Sequence, residues 1–219
     1  MKSARITGEM LFRVLDAAAA FTMLVLLAPL LLLLSFAILV VDGRPILFRQ
    51  QRIGRHGRPF LIYKFRTMRR AKSRNPAITV ANDQRITATG AWLRRFKLDE
   101  LPQLYNVLRG DMGLIGPRPE VPEYVQLDDT LWRAVLRSRP GITDLASLAY
   151  RDEENLLLPA ADPEAYYRTV ILPAKLRLSV AYQESRSLRR DVRLLCLTMR
   201  YCLFPGGFDP KKVLRALAE

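Results

Sequence analysis

A chain of 219 residues with 35 Lys and Arg against 21 Asp and Glu carries a formal charge of +14, which calls for an anionic partner: nucleic acid, anionic lipid or a phosphorylated substrate. The cations are spread over 44–74, 85–109 and 186–200 rather than gathered in a tail, and no nucleic-acid-binding motif is present, so lipid or phosphate is favoured and nucleic acid is not expected. A single histidine, His56, excludes a His-cluster metal site and weakens any His-containing triad; Cys196 and Cys202 lie in an apolar stretch and read as small buried hydrophobes in a reducing compartment.

In chain order, the first feature is the uncharged run Ala17–Val41. At about 1.5 Å per residue a straight helix of this length reaches about 37 Å, against a bilayer core of about 30 Å. A signal peptide is not expected, because the apolar stretch is too long and no small-residue cleavage site follows. A single spanning anchor and a helix kinked at Ala28-Pro29 both accommodate the run. Pro29 removes a hydrogen bond near its middle. Both flanks are basic, with Lys2, Arg5 and Arg13 before and Arg44, Arg49, Arg52 and Arg55 after, which holds both ends on the cytoplasmic side only in the kinked form. Next, 46–50 and 60–67 read as a β-hairpin around a turn at 54–59, and strand alternation puts Lys64 and Arg66 on one face. Residues 68–83 read as a loop and 87–96 as a helix.

The densest block is 97–120. Leu101, Leu104, Tyr105 and Leu108 form a helical stripe, Pro102 is tolerated in a first turn, and Gly110 suits a left-handed C-cap, so Asp99 is expected at or next to the N-cap. Alone, an Asp-Glu pair at a helix start is a cap and a first-turn acid. Here the pair Asp99-Glu100 is flanked by Arg94, Arg95, Lys97, Arg109 and Arg118, and the Gly/Pro-rich turn 113–119 brings Arg118 within reach. Arg118 stands between two prolines, a stiff mounting for a forked grip on phosphate. A carboxylate is also a competent nucleophile toward phosphorus. Beyond the block, 132–137 reads as a short helix stopped at Arg139-Pro140-Gly141, 152–162 as acidic and irregular, and 176–182 and 188–203 as helices. The last is amphipathic and suits either a membrane interface or the core. Its end is marked by Phe204-Pro-Gly-Gly207. No Gly-x-Gly-x-x-Gly, P-loop or Asp-x-Asp motif supports a Rossmann-type glycosyltransferase.

The stretch Leu98-Asp-Glu-Leu-Pro-Gln-Leu-Tyr-Asn-Val-Leu-Arg-Gly-Asp-Met-Gly-Leu-Ile-Gly-Pro-Arg-Pro119 resembles the signature of the bacterial sugar transferases, the monotopic phosphoglycosyl transferases. Phe12-Arg-Val-Leu-Asp16, Ile62-Tyr-Lys-Phe-Arg-Thr-Met68, Arg139-Pro-Gly-Ile-Thr143 and Tyr166-Tyr167 extend the resemblance from about residue 10 to about 200. It implies an α+β, mostly helical fold with an N-terminal re-entrant membrane helix over 1–45, kinked at Ala28 and Pro29. A membrane-associated catalytic domain over 46–219 would carry a small β-hairpin and helices lying on the interface, at the cytoplasmic face of a bacterial inner membrane. The implied reaction moves a sugar-1-phosphate from a UDP-sugar to polyprenyl (undecaprenyl) phosphate and releases UMP, as a first membrane step in polysaccharide or glycoconjugate synthesis. Asp99 would attack the β-phosphate. Glu100 would assist, with Mg²⁺ held at Asp99 and Glu100, and Lys64, Arg94, Arg118 and Arg151 would meet phosphate.

Two departures bear on substrate contacts: Asp144-Leu-Ala-Ser-Leu-Ala-Tyr-Arg151 replaces a Gly-Trp-Ala-Gln-containing form, and Glu164 stands where an Asp is common, as a candidate substrate contact. The sequence leaves the sugar, the pathway and a homodimer open. The competing classes are a non-catalytic membrane-anchored binding module and a lipid-linked glycosyltransferase that releases UDP.

Overall fold

The structure, a computed structural model, describes residues 2–69, 79–81, 83–206, 209, 210 and 214, with side chains from residue 10 onward, so most of the expected 68–83 loop, Gly207 and the side chains of Lys2 and Arg5 lie outside the described residues. The chain begins with α1 (Lys2–Leu26) and α2 (Ala28–Val41), bent by 62° where they meet. The bend falls at the predicted Ala28-Pro29 kink. Pro29 lies in the first turn of α2 and has no N–H to return to the preceding turn. Among the described residues, no single helix is long and apolar enough to cross a membrane; the segments Met10–Leu26 and Ala28–Val41 meet that criterion only as a bent pair. Leu32, Leu33, Phe36, Val40 and Val41 are all more than 60% exposed. A contiguous apolar face of this kind marks an interaction surface rather than ordinary scatter.

α1 starts well before the apolar run, and its charged residues tie it to the rest of the protein. Arg13 donates to the carbonyls of Val107 (2.9 Å) and Leu108 (2.7 Å), and Asp16 accepts the backbone N–H of Leu114. Strands β1 (Leu47–Ile53) and β2 (Pro59–Phe65) form the expected antiparallel hairpin, with Lys64 opposite Phe48. Just past β2, Arg66 donates to the carbonyls of Gly43 (2.8 Å) and Arg44 (2.9 Å), closing the C-terminal end of α2. α3 (Ala88–Arg95) is capped by the Thr87 side chain, which accepts from Gly90 N–H at 2.9 Å.

After α4 (Gln103–Arg109) come two short strands, β3 (Gly113–Ile115) and β4 (Gly141–Thr143), paired in parallel across α5 (Thr130–Val135). The sequence reads the first as part of a turn and the start of the second only as a helix stop. Three residues are too few to show a period, and both segments are punctuated by Gly and Pro. The pair depends on small residues: a Cβ added at Gly141 would sit 2.1 Å from the Gly116 nitrogen.

The C-terminal part is α6 (Leu145–Ala149), α7 (Glu153–Leu157), α8 (Pro163–Tyr166), a π-helical turn Tyr167–Ile171, α9 (Leu172–Glu184) and α10 (Leu188–Leu203). α10 has its predicted bounds. The acidic stretch 152–162, expected to be irregular, contains α7, because Leu157 is buried and anchors a helical turn there. The helix expected at 176–182 is the end of a longer run from 163, whose π-turn and two prolines hide the period. The main core gathers Val121, Tyr124, Trp132, Val135, Tyr167 and Ile171 under α9. α10 buries Leu194 and Tyr201 and exposes Leu188, Val192, Met199 and Leu203, so it serves the core and still presents an apolar outer face. The two cysteines are not the buried hydrophobes expected: Cys196 is exposed and Cys202 half-buried, both on α10.

Candidate active site

α3 ends at Arg95, and the backbone then reverses at Lys97, a non-glycine residue with φ of 56°. The reversal starts a 3₁₀ turn, Leu98–Glu100, closed by Glu100 N–H on the Lys97 carbonyl at 3.2 Å. Asp99 is therefore not the N-cap that its position suggested. α4 starts at Gln103, preceded by Pro102, and no side chain caps it. The expected left-handed C-cap is present, with Gly110 at φ 91°. Freed from a capping role, Asp99 is buried, and its Oδ1 has no hydrogen-bond partner.

The turn faces a cleft of about 1450 Å³, ample for a nucleotide-sized ligand. Its lining includes Arg94, Asp99, Glu100 and Arg118 from one sequence block, joined by Lys64 and Arg151 from outside it. Glu164 does not line it; it forms an exposed 2.8 Å ion pair with Arg168, one turn along the same helical run. The cations are partly engaged within the protein. Lys64 Nζ meets Glu100 Oε1 at 2.9 Å, and Arg118 forks onto the same carboxylate at 2.8 and 3.4 Å. Arg94 pairs with Glu154, and Arg151 donates to the Arg95 carbonyl at 3.0 Å.

The two adjacent carboxylates are thus driven apart electrostatically. Burial pushes the Asp99 carboxyl up, and the neighbouring Glu100 charge adds to the effect. Burial also acts to raise Glu100, but Arg118, Lys64 and Lys97 outweigh it and hold Glu100 well below the usual carboxylate range. Lys64 is itself lowered by burial. Of the pair, Glu100 has its oxygens occupied by cations, whereas Asp99 is the more basic and has an oxygen free. Such a divergence separates the chemical roles open to two carboxylates.

A second network lines another wall of the cleft. Tyr167, in the π-turn, donates to Glu120 Oε1 at 2.7 Å, and Arg52 lies 3.6 Å from Glu120 and donates to the Pro119 carbonyl at 3.1 Å. This fixes the loop that carries Arg118. Lys175 pairs with Glu153 at 2.8 Å on the same wall. Both Glu120 and Tyr167 fall inside recognisable sequence blocks, but their 47-residue separation gives no local sign that they meet.

Among the described residues, no group of three or more His, Cys, Asp or Glu side chains converges to hold a metal alone. Magnesium does not need one; it is commonly bound by one or two carboxylates together with substrate phosphates. The unpartnered, buried Asp99 Oδ1 beside Glu100 fits that pattern.

Comparison with known proteins gives the family. The model of the bacterial sugar transferase family matches residues 7–205. Over 197 residues the chain is 33% identical to the uncharacterized sugar transferase EpsL of Bacillus subtilis, covering 90% of this chain and 89% of that one. It is 44% identical over 149 residues to the UDP-glucose:undecaprenyl-phosphate glucose-1-phosphate transferase of Caulobacter vibrioides, covering 66% of this chain and 55% of the relative. Over 168 residues it is 35% identical to the undecaprenyl-phosphate galactose phosphotransferase of Salmonella typhimurium, covering 68% of this chain and 35% of the relative. With its signature block folded around one cationic cleft and the family match running almost end to end, the chain belongs to the bacterial sugar transferase family.

Proposed function

We propose that this protein transfers a sugar-1-phosphate from a UDP-sugar to undecaprenyl phosphate, releasing UMP. The relatives' names support the acceptor and the class of reaction. The observation that carries the chemistry is the buried Asp99 oxygen with no partner, next to a Glu100 already saturated by Lys64 and Arg118. Asp99 attacks the β-phosphorus of the UDP-sugar. The bond from that phosphorus to the bridging oxygen breaks, UMP leaves with the oxygen, and an acyl-phosphate joins the sugar phosphate to Asp99. An oxygen of undecaprenyl phosphate then attacks the same phosphorus and restores the Asp99 carboxylate. Glu100 acts by holding Lys64 and Arg118 at the cleft wall, where their remaining N–H donors meet phosphate. The free Asp99 oxygen, together with the diphosphate itself, would hold Mg²⁺, with Glu100 adding its charge from beside it, and the ion would neutralise the diphosphate.

The test is direct. Purified protein, undecaprenyl phosphate and Mg²⁺ are incubated with a panel of UDP-sugars; UMP appears with the cognate sugar. Release of UDP instead would establish a glycosyltransferase that moves sugar without phosphate.

A membrane placement is part of this proposal, and α1 and α2 support it. Bent by 62° and apolar on the outside, they fit a re-entrant hairpin at the cytoplasmic face of the inner membrane. In a chain lacking Cys196 and Cys202, cysteines introduced at Ser3 and Pro45 should both resist a membrane-impermeant thiol reagent in intact cells. Labelling of either one from outside would require a spanning helix. Replacing Pro29 by Leu restores the missing N–H and should shift the pair toward a straight, spanning form.

A further inference from the structure

Lys97 is held in the left-handed region, at φ 56° and ψ 22°, immediately before the turn that carries Asp99. A residue with a Cβ is disfavoured there by about 1–2 kcal/mol, and Gly is the usual occupant. The reversal alone would therefore be served better by glycine. Lys97 also lines the cleft, and its charge is felt at Asp99, Glu100 and Glu153. Lys64, Arg94, Arg118 and Arg151 each meet a carboxylate or carbonyl of the protein. Among the described residues, no Asp or Glu pairs with Lys97 Nζ. A strained backbone that carries an unpaired cation to the mouth of a carboxylate pair is an outlier of the kind found at binding sites.

We propose that Lys97 is a phosphate-binding residue of this cleft, its ammonium meeting a phosphate oxygen of a substrate bound over Asp99. Lys97 supplies a mobile point charge with three donors, complementary to the fixed fork of Arg118. This rests on the phosphoglycosyl transfer proposed above. The phosphate belongs either to the UDP-sugar or to the polyprenyl acceptor, and the two are separable by measurement.

Three variants of the full chain decide it. Lys97→Gly removes both charge and strain, Lys97→Ala removes the charge and keeps the strain, and Lys97→Arg keeps both. For each, UDP affinity is read by calorimetry with Mg²⁺, the KM for undecaprenyl phosphate by UMP release, and the thermal midpoint by melting. The expected pattern is a loss of about tenfold in one of the two substrate measurements for Gly and Ala, near-wild-type values for Arg, and a melting midpoint for Gly at or above wild type. A weakened UDP affinity assigns the contact to the donor, and a raised acceptor KM with unchanged UDP affinity assigns it to the lipid phosphate. If Lys97→Gly matches the wild type in both, Lys97 serves only the backbone turn and the inference fails. Wild-type protein that releases no UMP with any UDP-sugar defeats the underlying function instead, an outcome distinct from the first.

Discussion

Replacing Asp99 by Asn should abolish turnover, by at least about 10³-fold, and leave the protein folded. UDP-sugar labelled in the sugar should mark wild-type protein when no acceptor is present and leave the Asn variant unmarked, with mass spectrometry excluding deamidation back to Asp. The structure adds a stability criterion. The Asp99 carboxyl is raised by burial and by Glu100, so ionising it in the folded state is unfavourable. A carboxyl raised on folding contributes stability that is complete below its unfolded value and is lost as pH rises through the folded one. At neutral pH Asp99 therefore costs stability, and Asn, uncharged and of the same shape, should melt at or above the wild-type temperature. Loss of activity with a markedly lower midpoint would make Asp99 a structural residue. The raised value also sets the pH profile. In the proposed mechanism only the ionised carboxylate attacks, so kcat/KM should fall on acidification through a limb lying above the ordinary carboxylate range.

Glu100→Gln should act by a different route. Glu100 accepts from Lys64 at 2.9 Å and from Arg118 at 2.8 Å, and its side chain is only 9% exposed. Neutralising it takes away the one carboxylate that both cations contact. Breaking a buried ion pair costs about 3–5 kcal/mol. Arg118 is 30% exposed and Gln retains one acceptor, so solvent screening reduces the expected loss to about 2 kcal/mol. Because Glu100 is held well below its usual range, its contribution is present above the unfolded value of about 4.3 and is lost as pH falls through the folded one. The gap between the two melting curves should therefore narrow in acid. Turnover should drop by about 10²-fold or more, as misdirected Lys64 and Arg118 no longer complement the developing charge. The acid limb of the surviving activity should move to lower pH, since Asp99 has lost its repelling neighbour and gained two unpaired cations. An unmoved limb would show that the two carboxylates are not coupled in the working enzyme.

Much of this arrangement is visible in the sequence, and the reason differs by element. The kink at Ala28-Pro29 follows from one missing N–H, and α10 follows from sixteen residues of strong helical period. The membership of the cleft was legible because the carboxylate pair and its cations cluster within 94–118, with Lys64 and Arg151 added by resemblance. What the sequence hides is pairing across distance. Nothing local says that Arg118 spends its fork on Glu100, that Tyr167 reaches Glu120, or that Gly113–Ile115 and Gly141–Thr143 are paired strands. Asp99 misleads for a related reason. Acid-before-Pro reads as a cap, but the 3₁₀ turn started by Lys97 takes up the residues that would have been the first turn of α4.

The two hydrogen bonds from Arg13 to the end of α4, with Asp16 held on Leu114, make the first helix a splint for the catalytic one. Val107 and Leu108 are the last-turn carbonyls of the helix that follows Asp99, and without Arg13 they have no side-chain donor. A protein shortened at residue 45 would thus lose more than its bent helix pair. It would have an open seam at the foot of the turn that carries Asp99.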